Sequence, residues 1–162
     1  WNCGPEFENE FVALEPSQCG KDFVKRMVGR GASFADIDGD GDLDLLITSV
    51  GGSPRLLRND QQLEHHWLRV RLTGTSGVNR TAIGTWIDIH TTGGIRSQQV
   101  MPTRSYLSQA ELPVTFGLGE IDRVEKLVIR WSNGTTQEVL DPKIDTLLEI
   151  TQAETTAALK GK

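Results

Sequence analysis

The residues best suited to chemistry are Asp36, Asp38, Asp40, Asp42 and Asp44, one carboxylate at every second position of a short stretch. Gly39 and Gly41 stand between them, and Ile37 and Leu43 fill the other gaps. Carboxylates a few ångströms apart raise the cost of ionising one another. A hard divalent cation removes that cost, and Ca2+ takes about six to eight oxygens. Asp side chains at loop positions 1, 3, 5 and 9 can wrap one ion, and here those positions are Asp36, Asp38, Asp40 and Asp44. Gly41 holds position 6, where the loop turns sharply and a Cβ would clash. Asp42 at position 7 would give its backbone carbonyl, and Leu43 at position 8 would point into apolar packing. The bland alternative is an acidic, solvated hairpin turn. Asp-x-Asp-x-Asp-Gly with four matching ligand positions is a more specific pattern than such a turn needs.

The elements around the loop read as strands. An EF-hand ends on a bidentate Glu at position 12 between two helices, but position 12 here is Ile47. Residues 43–48 read as a buried strand and 32–35 as a short one, so the loop joins two strands. The stretch resembles the calcium loops of FG-GAP (VCBS) repeats, the blades of integrin-type β-propellers. Its flanks carry the likeness too: Gly29-Arg30-Gly31-Ala32-Ser33-Phe34-Ala35-Asp36 before it and Leu56-Leu57-Arg58-Asn59 closing the blade. The resemblance implies that the loop aspartates bind Ca2+.

The chain has 162 residues, 17 of them glycine, with 37% hydrophobic content. That is enough for a packed core and for one domain plus a small appendage. The net charge is −5, which the five loop aspartates account for in full. No basic excess remains to neutralise phosphates, so nucleic acid is excluded as a partner. No run of about 18 apolar residues is present, so no membrane-spanning helix is expected. The chain begins at Trp1 with no secretory signal, as a mature form or an excised fragment would. Cys3 and Cys19 leave a disulfide open as one possibility, and closing that loop would stabilise by roughly 3 kcal/mol.

Residues 1–28 give weak signals: 11–14 as a short strand, 22–28 as strand or loop. From 66 onward the alternation has period two. Leu68, Val70 and Leu72 share one face, with Trp67, Arg69 and Arg71 on the other. Ile83, Ile87 and Ile89 are expected inside, with Trp86, Asp88 and His90 outside. Val114, Phe116 and Leu118 form a third inward set, and Leu127, Ile129 and Trp131 a fourth. Thr92-Gly93-Gly94 and Ser132-Asn133-Gly134 read as hairpin turns, and Asp141-Pro142 as a break before a last strand at 146–150. The fold class is therefore all-β: a β-sandwich or open barrel of about seven strands, preceded by one propeller-blade-like calcium hairpin. The expected division is 1–60 for the blade, 61–151 for the sandwich and 152–162 for a frayed tail.

Five motifs in the second part appear in a telling order: His66-Trp67-Leu68-Arg69-Val70-Arg71-Leu72, Asn79-Arg80-x-x-Ile83-Gly84, Tyr106-Leu107-Ser108-Gln109, Phe116-Gly117-Leu118-Gly119 and Trp131-Ser132-Asn133-Gly134. Together they resemble the ASPIC/UnbV domain, which follows FG-GAP repeats in the cartilage acidic protein family and its bacterial relatives. Thr81-Ala82 and Ser132 depart from the family pattern, which usually has Asp-Gly and Pro there. The resemblance implies a secreted, surface or periplasmic protein of recognition or matrix type.

No catalytic constellation stands out. His65, His66 and His90 lie in no HExxH, and no G-x-S-x-G or phosphate-binding glycine loop occurs. Loop carboxylates saturated by an ion would leave no free general base. The sequence thus predicts a non-enzymatic, calcium-structured interaction module with a protein or glycan partner. A carbohydrate-binding module is the alternative, with Trp67 and Trp86 stacking a sugar ring. The plainer account of those tryptophans is that they cover a second layer. Asn79-Arg80-Thr81 and Asn133-Gly134-Thr135 are acceptor triplets for N-glycosylation, common enough by chance to decide nothing.

Overall fold

The computed structural model describes residues 26–60, 63–75 and 77–153. Cys3, Cys19, the strand read at 11–14, residues 22–25 and the tail from 154 lie outside the described residues. The chain divides into two compact units. One takes 1–61 together with 104–110, and the other takes 62–103 together with 111–162.

The first unit holds an antiparallel sheet of β1 (Gly29–Ala35), β2 (Asp44–Ser49) and β3 (Arg55–Leu57), in the order β1-β2-β3. Phe34 lies opposite Leu45 and Leu45 opposite Leu57, which puts these three on one face. Leu46 pairs with Ser33 and Leu56 on the other face and is 40% exposed. The strand expected to be buried is half-buried at Leu45 and Ile47 on one side and exposed on the other. A hairpin of β7 (Thr103–Ser105) and β8 (Ser108–Gln109) belongs to this unit from Arg104 onward.

That hairpin meets β1 through side chains. Ser105 Oγ accepts from the Ala32 N–H at 3.3 Å, and Ser33 Oγ donates to the Gln109 carbonyl at 2.5 Å. The Arg30 guanidinium lies 4.6 Å from the Tyr106 ring centroid and donates to its hydroxyl at 3.1 Å. Gly31 sets the approach: a Cβ there would come within 2.3 Å of Ser108 Oγ and 2.8 Å of the Tyr106 carbonyl. The second of these is backbone and cannot swing aside.

The second unit contains seven described strands. β5 (Trp86–Thr91), β6 (Gly94–Gln99), β10 (Lys126–Arg130) and β11 (Thr136–Leu140) form one sheet in the order β11-β10-β5-β6. β4 (His66–Thr73), β9 (Val114–Gly119) and β12 (Leu147–Thr151) form the other in the order β12-β4-β9, with β12 parallel to β4. Leu68, Val70, Val114, Phe116 and Leu118 from one sheet share a core with Ile87, Ile89, Leu127 and Ile129 from the other and with Trp131 just after β10. Among the described residues the fold is all-β, with no closed barrel and two sheets packed as a β-sandwich, the first of the two architectures the alternation left open.

Polar side chains close the two open sides of this sandwich. Arg96 and Gln98 stand opposite Ile89 and Ile87, so they point inward from the edge strand β6. Arg96 donates to the Gly117 carbonyl and Gln98 to the Thr115 carbonyl of β9. Gln137 of β11, opposite Ile129, accepts from the Ala153 N–H at 3.0 Å and donates to the Thr151 carbonyl at 3.4 Å. Inward polar residues of this kind satisfy edge backbone groups that would otherwise template further pairing.

Three expectations from the sequence pattern change here. Ile83 is 40% exposed in a loop rather than inside a strand. The cause is Asn79, whose Oδ1 accepts from the Ile83 N–H and whose Nδ2 donates to the Ile83 carbonyl, both at 3.0 Å. This clasp uses the groups a strand ladder would need, and β5 starts only at Trp86. Arg69, assigned to the polar face, is 7% exposed and paired with Glu111. Gln152, assigned to the frayed tail, is buried, and its Oε1 accepts from the Thr75 N–H at 3.0 Å.

Gly31→Ala should displace the hairpin from β1 and destabilise the first unit by about 1–3 kcal/mol, the usual range for overpacking. Denaturant titration of wild type and variant measures this. An unchanged midpoint would show that the close approach at Gly31 has no energetic weight.

Candidate metal centre

The aspartate loop spans the connection between β1 and β2, so two paired strands hold its ends. Gly39 and Gly41 have φ of +81° and +96°, a region that costs a side-chain-bearing residue steric energy. The glycine expected at position 6 is thus required by the backbone, and Gly39 is required as well. Among the described residues, Asp36, Asp38 and Asp40 form one group that could hold a metal ion, with carboxylate oxygens within 4.8 Å of one another. Asp36 is half-buried, whereas Asp38 and Asp40 are exposed.

The loop folds its own backbone N–H groups onto these acids. Asp36 Oδ1 accepts from Gly39 N at 2.7 Å, and its Oδ2 accepts from Gly41 N at 3.1 Å. Asp40 Oδ1 accepts from Asp42 N at 2.9 Å. Asp38 approaches Arg58 at 3.8 Å, and Arg58 makes a closer pair with Asp60 at 2.7 Å. The Asp40 carboxyl is held above its ordinary range. The Asp42 N–H works against that rise, but desolvation and the charges of Asp38, Asp42 and Asp36 outweigh it. Mutual repulsion in this loop is therefore offset only in part.

Asp44 behaves differently from the other four. It is 1% exposed, its Oδ2 accepts from Ile37 N, and its Oδ1 accepts from Asn59 N, both at 2.9 Å. The structure draws Asp36, Asp38 and Asp40 into the group and leaves Asp42 and Asp44 outside it. Pattern reading did not foresee the Asn59 contact. Its signal was the Leu56-Leu57-Arg58-Asn59 flank, read only as the close of the blade.

The tryptophans sit on different sheets. Trp67 is half-buried on β4, and Trp86 is 39% exposed on β5. Each alternates with inward residues of its own sheet, so the two face away from the shared core on opposite sides and do not make one platform. The Arg130 guanidinium lies 5.7 Å from the Trp86 ring centroid. Arg130 also grips Asp88 through two hydrogen bonds of 3.0 Å. His66 Nδ1 is 2.8 Å from Asp145 Oδ2, and Asp145 Oδ1 accepts from Trp67 N, so this histidine ties the start of β4 to the 141–146 connection.

Comparison with known proteins follows the fold. The chain belongs to the ASPIC and UnbV family, whose model matches residues 74–157, just over half of the chain. It is similar to cartilage acidic protein 1 of Xenopus tropicalis, with 29% identity over 133 residues covering 75% of this chain and 19% of that protein. Cartilage acidic protein 1 of Mus musculus and of Homo sapiens show 28% identity over the same length. The chain thus spans about a fifth of the length of the curated relatives it matches. Among the described residues, no helix is long and apolar enough to cross a membrane.

The Asp88 carboxyl is held below its ordinary range. Burial pushes it up, but hydrogen bonds from Ser97 and Arg130 and the nearby Arg130 and His90 charges outweigh that push. A depressed folded pKa gives stability that is present above the unfolded carboxylate range and lost as pH falls through the folded value. Asp88→Asn should therefore lose about 1 kcal/mol at neutral pH, a modest figure because Arg130 is half exposed to solvent. The gap between wild type and variant should close below about pH 4. Denaturant titrations across that pH range measure it, and a gap that persists in acid would refute the ion pair as its source.

Proposed function

We propose that this chain is a non-enzymatic, calcium-binding interaction module of a secreted or surface protein. In this reading Ca2+ structures the 36–44 loop of an FG-GAP-like blade at 1–60, followed by the ASPIC/UnbV sandwich at 61–151. The observation that carries it is the convergence of Asp36, Asp38 and Asp40, whose oxygens lie within 4.8 Å of one another. The donor set fits a hard cation: all oxygen, anionic, and without sulfur or imidazole. Asp36, Asp38 and Asp40 would hold the ion with their side chains, and Asp42 would add its carbonyl. Asp38 has the fewest competing hydrogen bonds to backbone N–H groups among the three. Bound Ca2+ supplies positive charge that neutralises the loop. The relatives are named for cartilage, which supports an extracellular setting. The partner is a protein or a glycan. The exposed face of Trp86 beside Arg130 supports the glycan reading only as a single stacking position.

Calorimetric titration of the metal-free chain with Ca2+ should give one site, and melts should show a higher midpoint with Ca2+ than with chelator. Asp38→Asn should abolish both effects while leaving the midpoint in chelator nearly unchanged. Absence of binding heat together with identical midpoints would remove the reading.

A further inference from the structure

We propose that Asn133 is an acceptor for an asparagine-linked oligosaccharide, and that the fold refuses the same modification at Asn79. The inference rests on the secreted setting proposed above and needs nothing from the aspartate loop. Both residues open an Asn-x-Thr triplet, Asn79-Arg80-Thr81 and Asn133-Gly134-Thr135, and both are exposed. Spacing does not separate them. What each carboxamide already holds does.

Asn133 lies in the turn between β10 and β11. Gly134 N donates to the Trp131 carbonyl at 2.9 Å, and Trp131 N donates to the Thr135 carbonyl at 2.8 Å, so the turn is closed from both sides. Asn133 Oδ1 accepts from the Thr135 hydroxyl at 2.7 Å and from the Thr135 N–H at 3.1 Å. The oxygen is the anchored end of this side chain. Among the described residues its Nδ2 donates no hydrogen bond. Gly77 lies beside that nitrogen without a side chain, and even a Cβ there would stand 3.5 Å away.

Asn79 shares the hydroxyl contact, with Thr81 Oγ1 donating to its Oδ1 at 2.8 Å, but its nitrogen is committed. Oδ1 accepts from the Ile83 N–H while Nδ2 donates to the Ile83 carbonyl. One carboxamide meets both backbone groups of one residue, so the N–H it uses is the one on the side of its oxygen. A carbon substituent on a planar amide nitrogen takes that same side, as Cα does in a trans peptide. A sugar at Asn79 would therefore replace the hydrogen that holds Ile83 and open the clasp. At Asn133 it would replace a hydrogen that holds nothing.

The co-reactant is a lipid-diphosphate-linked oligosaccharide, presented by the transferase of a secretory pathway. The bond from sugar C1 to the diphosphate oxygen breaks, and the lipid diphosphate leaves with the electron pair. Asn133 Nδ2 forms the new bond to C1 and gives one proton to a base of the transferase. Transfer takes place on the chain before it folds, so the clasp acts afterwards, on which product folds. A bulky, solvated sugar suits the exposed turn at 133.

The test is to secrete the full chain from mammalian cells behind a cleavable leader. Peptide N-glycosidase in heavy-oxygen water then marks each modified asparagine as labelled aspartate for peptide mass mapping. Secreted protein should carry the mark at Asn133 and lack it at Asn79, and any mark at Asn79 should be confined to chain retained in the cell. Thr135→Ala should abolish the mark at Asn133, Thr135→Ser should keep it, and Thr81→Ala should leave it unchanged. No mark at Asn133 in secreted wild type would overturn the acceptor. Equal marks at both positions in secreted protein would overturn selection by the clasp. If Thr135→Ala is not secreted, the wild-type map alone decides. A marked chain that gives no calcium heat loses only the calcium reading, and an unmarked chain with one calcium site loses only the glycan.

Discussion

Everything in the first unit depends on how like charges are kept together. Five aspartates at alternate positions repel, and desolvation together with the charges of Asp38, Asp42 and Asp36 pushes the Asp40 carboxyl up against the pull of the Asp42 N–H. The chain answers with its own backbone. Glycines at 39 and 41 take positive φ, which folds the loop back so that N–H groups meet Asp36 and Asp40. Residues with a Cβ would resist those angles and leave the carboxylates facing only one another.

The second unit solves a different problem. A two-sheet sandwich leaves strand edges open, and open edges invite association. Here the inward positions of the edge strands β6 and β11 are partly polar, and they reach backbone groups of the facing sheet. The apolar core then needs only the central positions, where Leu68, Ile87, Phe116 and Leu127 are fully or almost fully buried. The ASPIC and UnbV match covers most of this unit and also takes in 104–110 of the first.

Much of the sandwich was legible because alternation of period two maps directly onto inside and outside. Val114, Phe116 and Leu118 fall inside as their spacing requires, as do Leu127, Ile129 and Trp131. The pattern failed where a side chain competed for backbone. At Ile83 the Asn79 clasp ended the strand, and alternation carries no record of such a clasp. It failed again at Arg69, because the partner Glu111 lies 42 residues away and periodicity sees only neighbours.

What the sequence determined by itself was local. The Asp-x-Asp-x-Asp-Gly spacing placed the carboxylates and demanded a glycine at position 41, and the alternating strands defined an all-β chain. What only the tertiary structure decided was which acid does what. Asp38 and Asp44 look equivalent in the repeat, yet one is exposed and the other is sealed against two backbone donors from separate segments. Burial and long-range hydrogen bonds arise only when distant parts of the chain meet. A repeat of identical side chains therefore cannot specify their separate environments.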